Sequence, residues 1–453
     1  MKGWKIFLII IIVVSLMIGA GAFVKKDTIS NVGSNMGGVL NFGQNSMSGL
    51  ANSSWPMYAH DRQHTGMAPV KGPQTNNTKW TFEIGSNQTG GWMAGAPIIG
   101  SDGTIYQYAS PAVMTDNLYF LYAVSPNGTL KWKTNERYGG YTGYGGSLID
   151  SNGTIYIPDS RESLYAFDSN NGTLKWTFKG EEASGENSAP NIAQDGTIYM
   201  ISGKFFYAIN PDGSLKWKMK PNETFPNYRS NPAVGPDGTI YFVGITGWAE
   251  TADWHLYAMD PNGKIKWDRN FMMCLSSGSP AVGKDGTAYL IVNMISQSGT
   301  QYIYAFDQNG NEKWKSPTSP ASASMSGGGI PGMSSAPFAE RTESVFQSLA
   351  PALGPDGTIY VPTRSYLLAL QSNGTQKWNY EFLNDEIMSP IAVDNEGTVY
   401  VSTSYNNYAI SSNGTVKWKY KINPAGKGNP ILGPDGTLYI THPENRFIYA
   451  IGP

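Results

Sequence analysis

The sequence predicts an all-β protein: an eight-bladed β-propeller of four-stranded antiparallel blades. Three observations carry that expectation. The stretch GPDGTIYVP, Gly354 to Pro362, recurs with small changes eight times, on Gly103, Gly153, Gly196, Gly238, Gly286, Gly357, Gly397 and Gly436. Five of the seven spacings between these glycines fall between 39 and 48 residues, one is 50 and one is 71. A lysine-tryptophan pair also recurs eight times, ending on Trp80, Trp132, Trp176, Trp217, Trp267, Trp314, Trp378 and Trp418. Finally, glycine is abundant (53 residues) and aromatic content is 13%, while charge is only 15%, which suits many short strands joined by tight turns.

Each unit opens on a strand A of small residues and proline, as in GAPIIG, SNPAVG and GNPILG. Such residues allow strands to crowd at an axis, where the innermost proline loses little by lacking an N–H. The Asp-Gly or Asn-Gly turn and a TIYFV-like strand B follow. Strand C reads LYAV, LYAF, FYAI, LYAM, IYAF, LLAL, NYAI and IYAI. A second such turn leads to strand D, where alternation in LKWKT (Leu130–Thr134) sends Trp132 to one face and Lys131 and Lys133 to the other. The indole is expected between neighbouring blades, with lysine stems near the rim. Solenoid repeats of this period would show helical patterning, and none is written here.

The two ends complement each other. Trp80 has no strand A, B or C before it, and the last unit stops at IYAIGP, Ile448 to Pro453, without a strand D. The strand carrying Trp80 is therefore expected to complete the C-terminal blade, closing the ring and removing an open edge.

Before the repeats, residues 1–26 hold lysines flanking the uncharged run Ile6 to Val24. That pattern fits a cleaved signal peptide or a retained membrane anchor, and both place the rest outside the cytoplasm. Residues 27–54, rich in Gly, Asn and Ser, read as a flexible tether. Residues 55–453 form the propeller region, with a lead-in at 55–78 and an inserted loop at 315–348. Cys274 is the only cysteine, so the chain has no internal disulfide and, without a cysteine near the leader, is not a lipoprotein. The net charge of −2 comes without a basic block, which excludes the electrostatic footprint of a nucleic-acid binder. The chain is expected to be monomeric and to meet a membrane only through its N-terminus.

Nine Asn-x-Ser/Thr sequons occur, at Asn52, Asn76, Asn87, Asn127, Asn152, Asn171, Asn222, Asn373 and Asn413. Five read NGT, which is also turn chemistry; a tight hairpin turn would need φ > 0 at both central residues.

In an up-and-down blade the A–B and C–D turns share one face, and the B–C and D–A loops share the other. The first is uniform and is expected to be a plain structural surface. The second carries the variable text, so a site is expected there. Its candidates are Trp92, Arg137, Tyr138, Tyr141, Tyr144, Glu186, Arg229, Trp248, Glu250 and Asp253, aromatic and charged groups suited to a protein partner or a surface glycan. Each is weighed against plain loop-on-loop packing. His60 and His64 in HDRQH have i, i+4 spacing, but no third ligand accompanies them and no glutamate stands between them, so no metal site is assigned. DSNNG, Asp168 to Gly172, lacks EF-hand oxygen spacing and reads as a turn. Cys274 in FMMCLSS reads as a buried hydrophobe. No catalytic residue is assigned.

The repeats resemble the PQQ-type propeller, the family of quinoprotein alcohol dehydrogenases and of the outer-membrane β-barrel assembly lipoprotein. AFDSNNGTLKW, Ala166 to Trp176, is similar to the family's tryptophan-docking pattern, with Asn171 where threonine is usual. AMDPNGKIKW, Ala258 to Trp267, has a turn one residue shorter, and WPMYAHDRQHTG, Trp55 to Gly66, is similar to the lead-in of such propellers. The resemblance implies that a quinone, where held, sits between an adjacent cysteine pair and a tryptophan, with calcium and an aspartate base. This chain has no cysteine pair, and no position aligns with the calcium ligands, the base or a c-type haem motif. The expectation is an exported non-catalytic binding or assembly scaffold at the cell surface with no cofactor. A PQQ-dependent dehydrogenase using calcium is the disfavoured alternative, and a glycan-binding module is a third reading.

Overall fold

A computed structural model describes residues 49–84, 92–110, 118–136, 138–139, 146–159, 163–181, 187–220, 227–228, 230–246, 253–272, 274–294, 301–318, 349–387, 389–421, 428–441 and 446–452. They form eight antiparallel sheets, each a four-stranded propeller blade. In blade 1, strand A is Trp92–Ile99, B is Ile105–Ser110, C is Leu118–Val124 and D is Leu130–Lys133. Short extra strands at Tyr138–Gly139, Asn227–Tyr228 and Cys274–Ser277 extend the outer strand D of blade 1 and the inner strands A of blades 4 and 5 along the same neighbouring strand.

One cross-strand row explains the repeated letters. The strand B tyrosine, strand C alanine and strand D tryptophan stand opposite one another, as in Tyr106, Ala123 and Trp132 of blade 1 and Tyr360, Ala369 and Trp378 of blade 6. The alanine is small enough for the two rings to meet above it, with centroids 5.9 Å apart in both blades. Such pairs contribute roughly 0.5–1.5 kcal/mol beyond their area. The indole then reaches the next blade: Nε1 of Trp132 donates to the Ser169 carbonyl at 3.2 Å, and that of Trp176 to the Pro211 carbonyl at 3.0 Å.

The turns differ from the expected type. In the described A–B and C–D turns only the glycine has positive φ, for example +79° at Gly103 and +84° at Gly128, while the preceding Asp or Asn does not. The Gly103 N–H donates to Gly100 O and the Gly100 N–H to Thr104 O, which is a type I turn closed by a glycine bulge. The residue before glycine is selected instead for its side chain. Asp102 accepts the Thr104 N–H at 3.0 Å and its hydroxyl at 2.7 Å, and Lys131 of strand D adds its ammonium at 2.9 Å.

Thr78–Glu83 pairs antiparallel with Phe447–Ile451, completing the sheet of Asn429–Leu432 and Leu438–Thr441. Blade 8 therefore has no C–D turn, and Pro73 takes its place: its carbonyl accepts Trp418 Nε1 at 3.0 Å.

The lead-in does more than pack on the propeller. Its carbonyls accept N–H groups of successive A strands: Trp55 from Ile99, Pro56 from Ile149, Arg62 from Val234, Gln63 from Val282, Thr65 from Leu353 and Gly66 from Val393. Each donor lies beside its A–B turn, so the segment seals the axis at the turn face, which is not the plain surface expected. Packing also begins earlier than the Ser54 boundary expected for the tether. Leu50 and Ala51 are buried, and the Ala51 N–H donates to Ile149 O at 3.1 Å. Likewise, Lys315 to Pro317 belong to the outer strand Glu312–Pro317 of blade 5, so the insertion begins after them. The leader, the tether before Gly49 and the insertion from 319 to 348 lie outside the described residues.

Candidate binding face

The loop face begins where strands B and D end. Of the ten residues expected there, Arg137, Tyr141, Tyr144, Glu186, Arg229, Trp248 and Glu250 lie outside the described residues. Trp92 opens strand A of blade 1, opposite Ser110. Asp253 opens a strand C opposite Thr246, half-buried. Tyr138 is placed by packing: its ring meets Phe167 at 4.9 Å and Tyr165 at 5.4 Å, and its carbonyl accepts the Tyr108 hydroxyl at 2.9 Å. Tyr138 is thus packed on blade 2 and remains partly exposed.

The best-defined part of this face was missed by reading the sequence. Between blades 6 and 7 the connection Phe382 to Ile387 is sewn to both neighbouring B–C turns. Phe382 and Ile387 donate to Ser365 O and Arg364 O at 2.8 Å, and Ser404 donates to Glu386 O at 2.8 Å. Asp385 is the buried hub, accepting Asn406 Nδ2 at 2.8 Å, the Thr403 hydroxyl at 2.6 Å and the Tyr405 N–H at 3.1 Å. Arg364 and Glu386 pair at 2.7 Å above it. The only available signal was LNDEI, a charged run beside an aliphatic residue in a short connection.

Leu383 and Tyr405 belong to this stitched region. Among the described residues the three most exposed large hydrophobic groups are Leu383 (78%), Met272 (67%) and Tyr405 (55%). Leu383 and Met272 lie in D–A connections and Tyr405 in a B–C turn, so all three lie on the loop face.

At the axis polar groups satisfy one another. Ala189 N–H donates to Asn231 Oδ1 at 2.7 Å and Asn231 N–H to Ser279 Oγ at 3.0 Å, linking blades 3, 4 and 5. Tyr58 of the lead-in bonds both side chains, and burial pushes its phenol up to about 12. His64 is buried with Nδ1 donating to Pro280 O at 3.1 Å, and burial pushes its imidazole down to about 4. His60 bonds Asp61 at 3.3 Å. Both histidines have positive φ, +76° and +58°, and are not on a helix. Burial alone would raise the Asp61 carboxyl, but His60 and Thr65 outweigh it and hold it below the usual range.

Among the described residues, Cys274 and the buried carboxylates of Asp61 and Asp159 are engaged with protein groups. Cys274 is buried in an apolar cluster with Phe271, Tyr304 and Phe306. The buried carboxylates are already committed: Asp61 to Gln63 N–H and Thr65 N–H, both at 3.0 Å, and Asp159 to Ser163 N–H at 2.8 Å and the Tyr165 hydroxyl at 3.1 Å. Among the described residues no group of His, Cys, Asp and Glu is arranged to hold a metal.

Repeat, closure and tryptophan docking together define a PQQ-like β-propeller. The chain belongs to that family: residues 119–273 and 299–441 match the family described as "Outer membrane protein assembly factor BamB". Among solved structures it is similar to a europium-containing methanol dehydrogenase, with 14% identity, TM-score 0.60, and 86% of this chain and 89% of that one covered. BamB from Moraxella catarrhalis aligns with 14% identity and TM-score 0.51 over 84% and 98%. A quinohemoprotein alcohol dehydrogenase from Comamonas testosteroni aligns with 13% identity and TM-score 0.61 over 89% and 82%. At these identities the likeness is one of fold. No curated protein sequence matches the chain.

Proposed function

We propose that the protein is an exported, non-catalytic scaffold that docks a protein partner on its loop face. The observation carrying this reading is the grouping of Leu383, Met272 and Tyr405, the most exposed large apolar side chains described, on that face. A rigid apolar anchor ringed by charge is how protein interfaces concentrate affinity; the Arg364–Glu386 pair supplies that charge here. The assembly-factor family assignment points the same way. Export follows from the charged-flanked apolar leader in the sequence.

The competing reading is a quinone enzyme. It is tested by the melting temperature of the full chain with PQQ and calcium, separately and together. A ligand that binds only the folded state raises it, by an amount set by concentration over Kd. The scaffold reading expects no joint shift at concentrations that saturate quinoproteins. A shift requiring both would overturn it.

A further inference from the structure

We propose that Asn127, Asn171, Asn373 and Asn413 are N-glycosylation sites, and that the folded chain offers these and not Asn52, Asn76 or Asn152. The proposal rests on the export reading above.

The turn role and the acceptor role fall on different atoms of the same amide. In the C–D turn of blade 1, Asn127 Oδ1 accepts the Thr129 N–H at 3.3 Å and its hydroxyl at 2.9 Å. Asn171 Oδ1 accepts the Thr173 N–H at 2.9 Å and its hydroxyl; Asn373 Oδ1 accepts the Thr375 pair at 3.0 and 2.8 Å. Asn413 Oδ1 accepts the Thr415 N–H at 3.1 Å and the Ser411 hydroxyl at 2.5 Å. The backbone donors fix which end of each amide turns inward, so Nδ2 points to solvent on an exposed residue in all four blades. Asparagine is thus suited to the turn through its oxygen while leaving its nitrogen free.

The other three described sequons fail on geometry. Asn76 Nδ2 donates to Lys419 O at 2.9 Å. The Thr154 hydroxyl of the Asn152 sequon is buried and accepts Lys175 Nζ at 3.0 Å. Ser54 of the Asn52 sequon is buried.

The four acceptors are also grouped around the ring. They stand on blades 1, 2, 6 and 7, either side of blade 8, which has no C–D turn and whose strand D is preceded by the tied Asn76. Blades 3, 4 and 5 have the same turn without a sequon, as Asp212-Gly-Ser, Asn262-Gly-Lys and Asn309-Gly-Asn. Glycans would therefore cover one continuous arc of the turn-face rim. A partner is left the arc of blades 3 to 5 and the whole loop face.

In the transfer, the C1–O bond of a lipid-linked glycosyl diphosphate breaks and an Nδ2–C1 bond forms. The amide loses one proton to a base, the lipid diphosphate leaves, and no atom changes oxidation state. The test is peptide mass mapping of the full chain from the membrane, secreted and cytosolic fractions of the organism that makes it. Glycan mass is expected at each of the four asparagines and at none of the three. Asn127→Gln, Asn171→Gln, Asn373→Gln and Asn413→Gln should each remove one increment, whereas Thr129→Ser, which keeps turn and sequon, should retain it. Unmodified chain in an exported fraction overturns the proposal but not the export reading, and unmodified chain confined to the cytosol overturns both. Glycan on Asn76 or Asn152 overturns the selection by folded geometry.

Discussion

At the scale of single residues, burial decides what the lead-in histidine can do. His64 is 1% exposed, and its imidazole titrates near 4 against about 6.5 when unfolded. Above pH 6.5 both states are neutral. Between 6.5 and 4 only the unfolded chain takes up the proton, so stability falls as pH falls, by about 3 kcal/mol over the window. Below 4 the folded chain is protonated too and this contribution stops changing. His64→Asn keeps a donor for Pro280 O and tolerates the left-handed φ of +58°. Its melting temperature should therefore change less than that of the parent between pH 7 and 4. Parallel curves for the two proteins would remove His64 from the account.

At the scale of the element, the blade rests on the Tyr-Ala-Trp row. Ala369 is fully buried between Tyr360 and Trp378, whose rings leave no room for a longer side chain. Ala369→Leu should cost about 1–3 kcal/mol by overpacking, whereas Gln371→Leu, two residues on at an exposed position, should stay within about 0.5 kcal/mol. Equal denaturation midpoints for the two variants would contradict the row. This level was the most legible in the sequence, because side chains carry it: strands B, C and D each write one residue of the row in every repeat. The turn type was less legible, since Asp-Gly serves both a type I′ hairpin and a glycine bulge, and the choice rests on the backbone bonds of Gly100, Gly103 and Thr104. The lead-in was legible as a segment but not in its bonding. It joins six blades through its carbonyls, and a carbonyl leaves no mark on residue identity. The sequence reading looked for a site in the long aromatic loops, most of whose named residues lie outside the described residues, and did not single out the short connection around Asp385.

At the scale of the molecule, the proposed function gives the two faces separate duties. The turn face is closed at the axis by the lead-in and, on our proposal, shielded along one arc by glycans. The loop face presents Leu383, Met272 and Tyr405. Thr78–Glu83 completes the C-terminal blade, and the lead-in before it bonds the A strands of six blades. The most direct test places a photo-crosslinking residue at position 383 or 405, and separately at Asp212 and Asn262 on the turn face, in the full chain in its own cells. The account predicts one discrete adduct from both loop-face positions, lost when Leu383→Asp is combined with the crosslinker at 405, and none from the turn face. An adduct from Asp212 or Asn262 alone, or an adduct at 405 that survives Leu383→Asp, would contradict it.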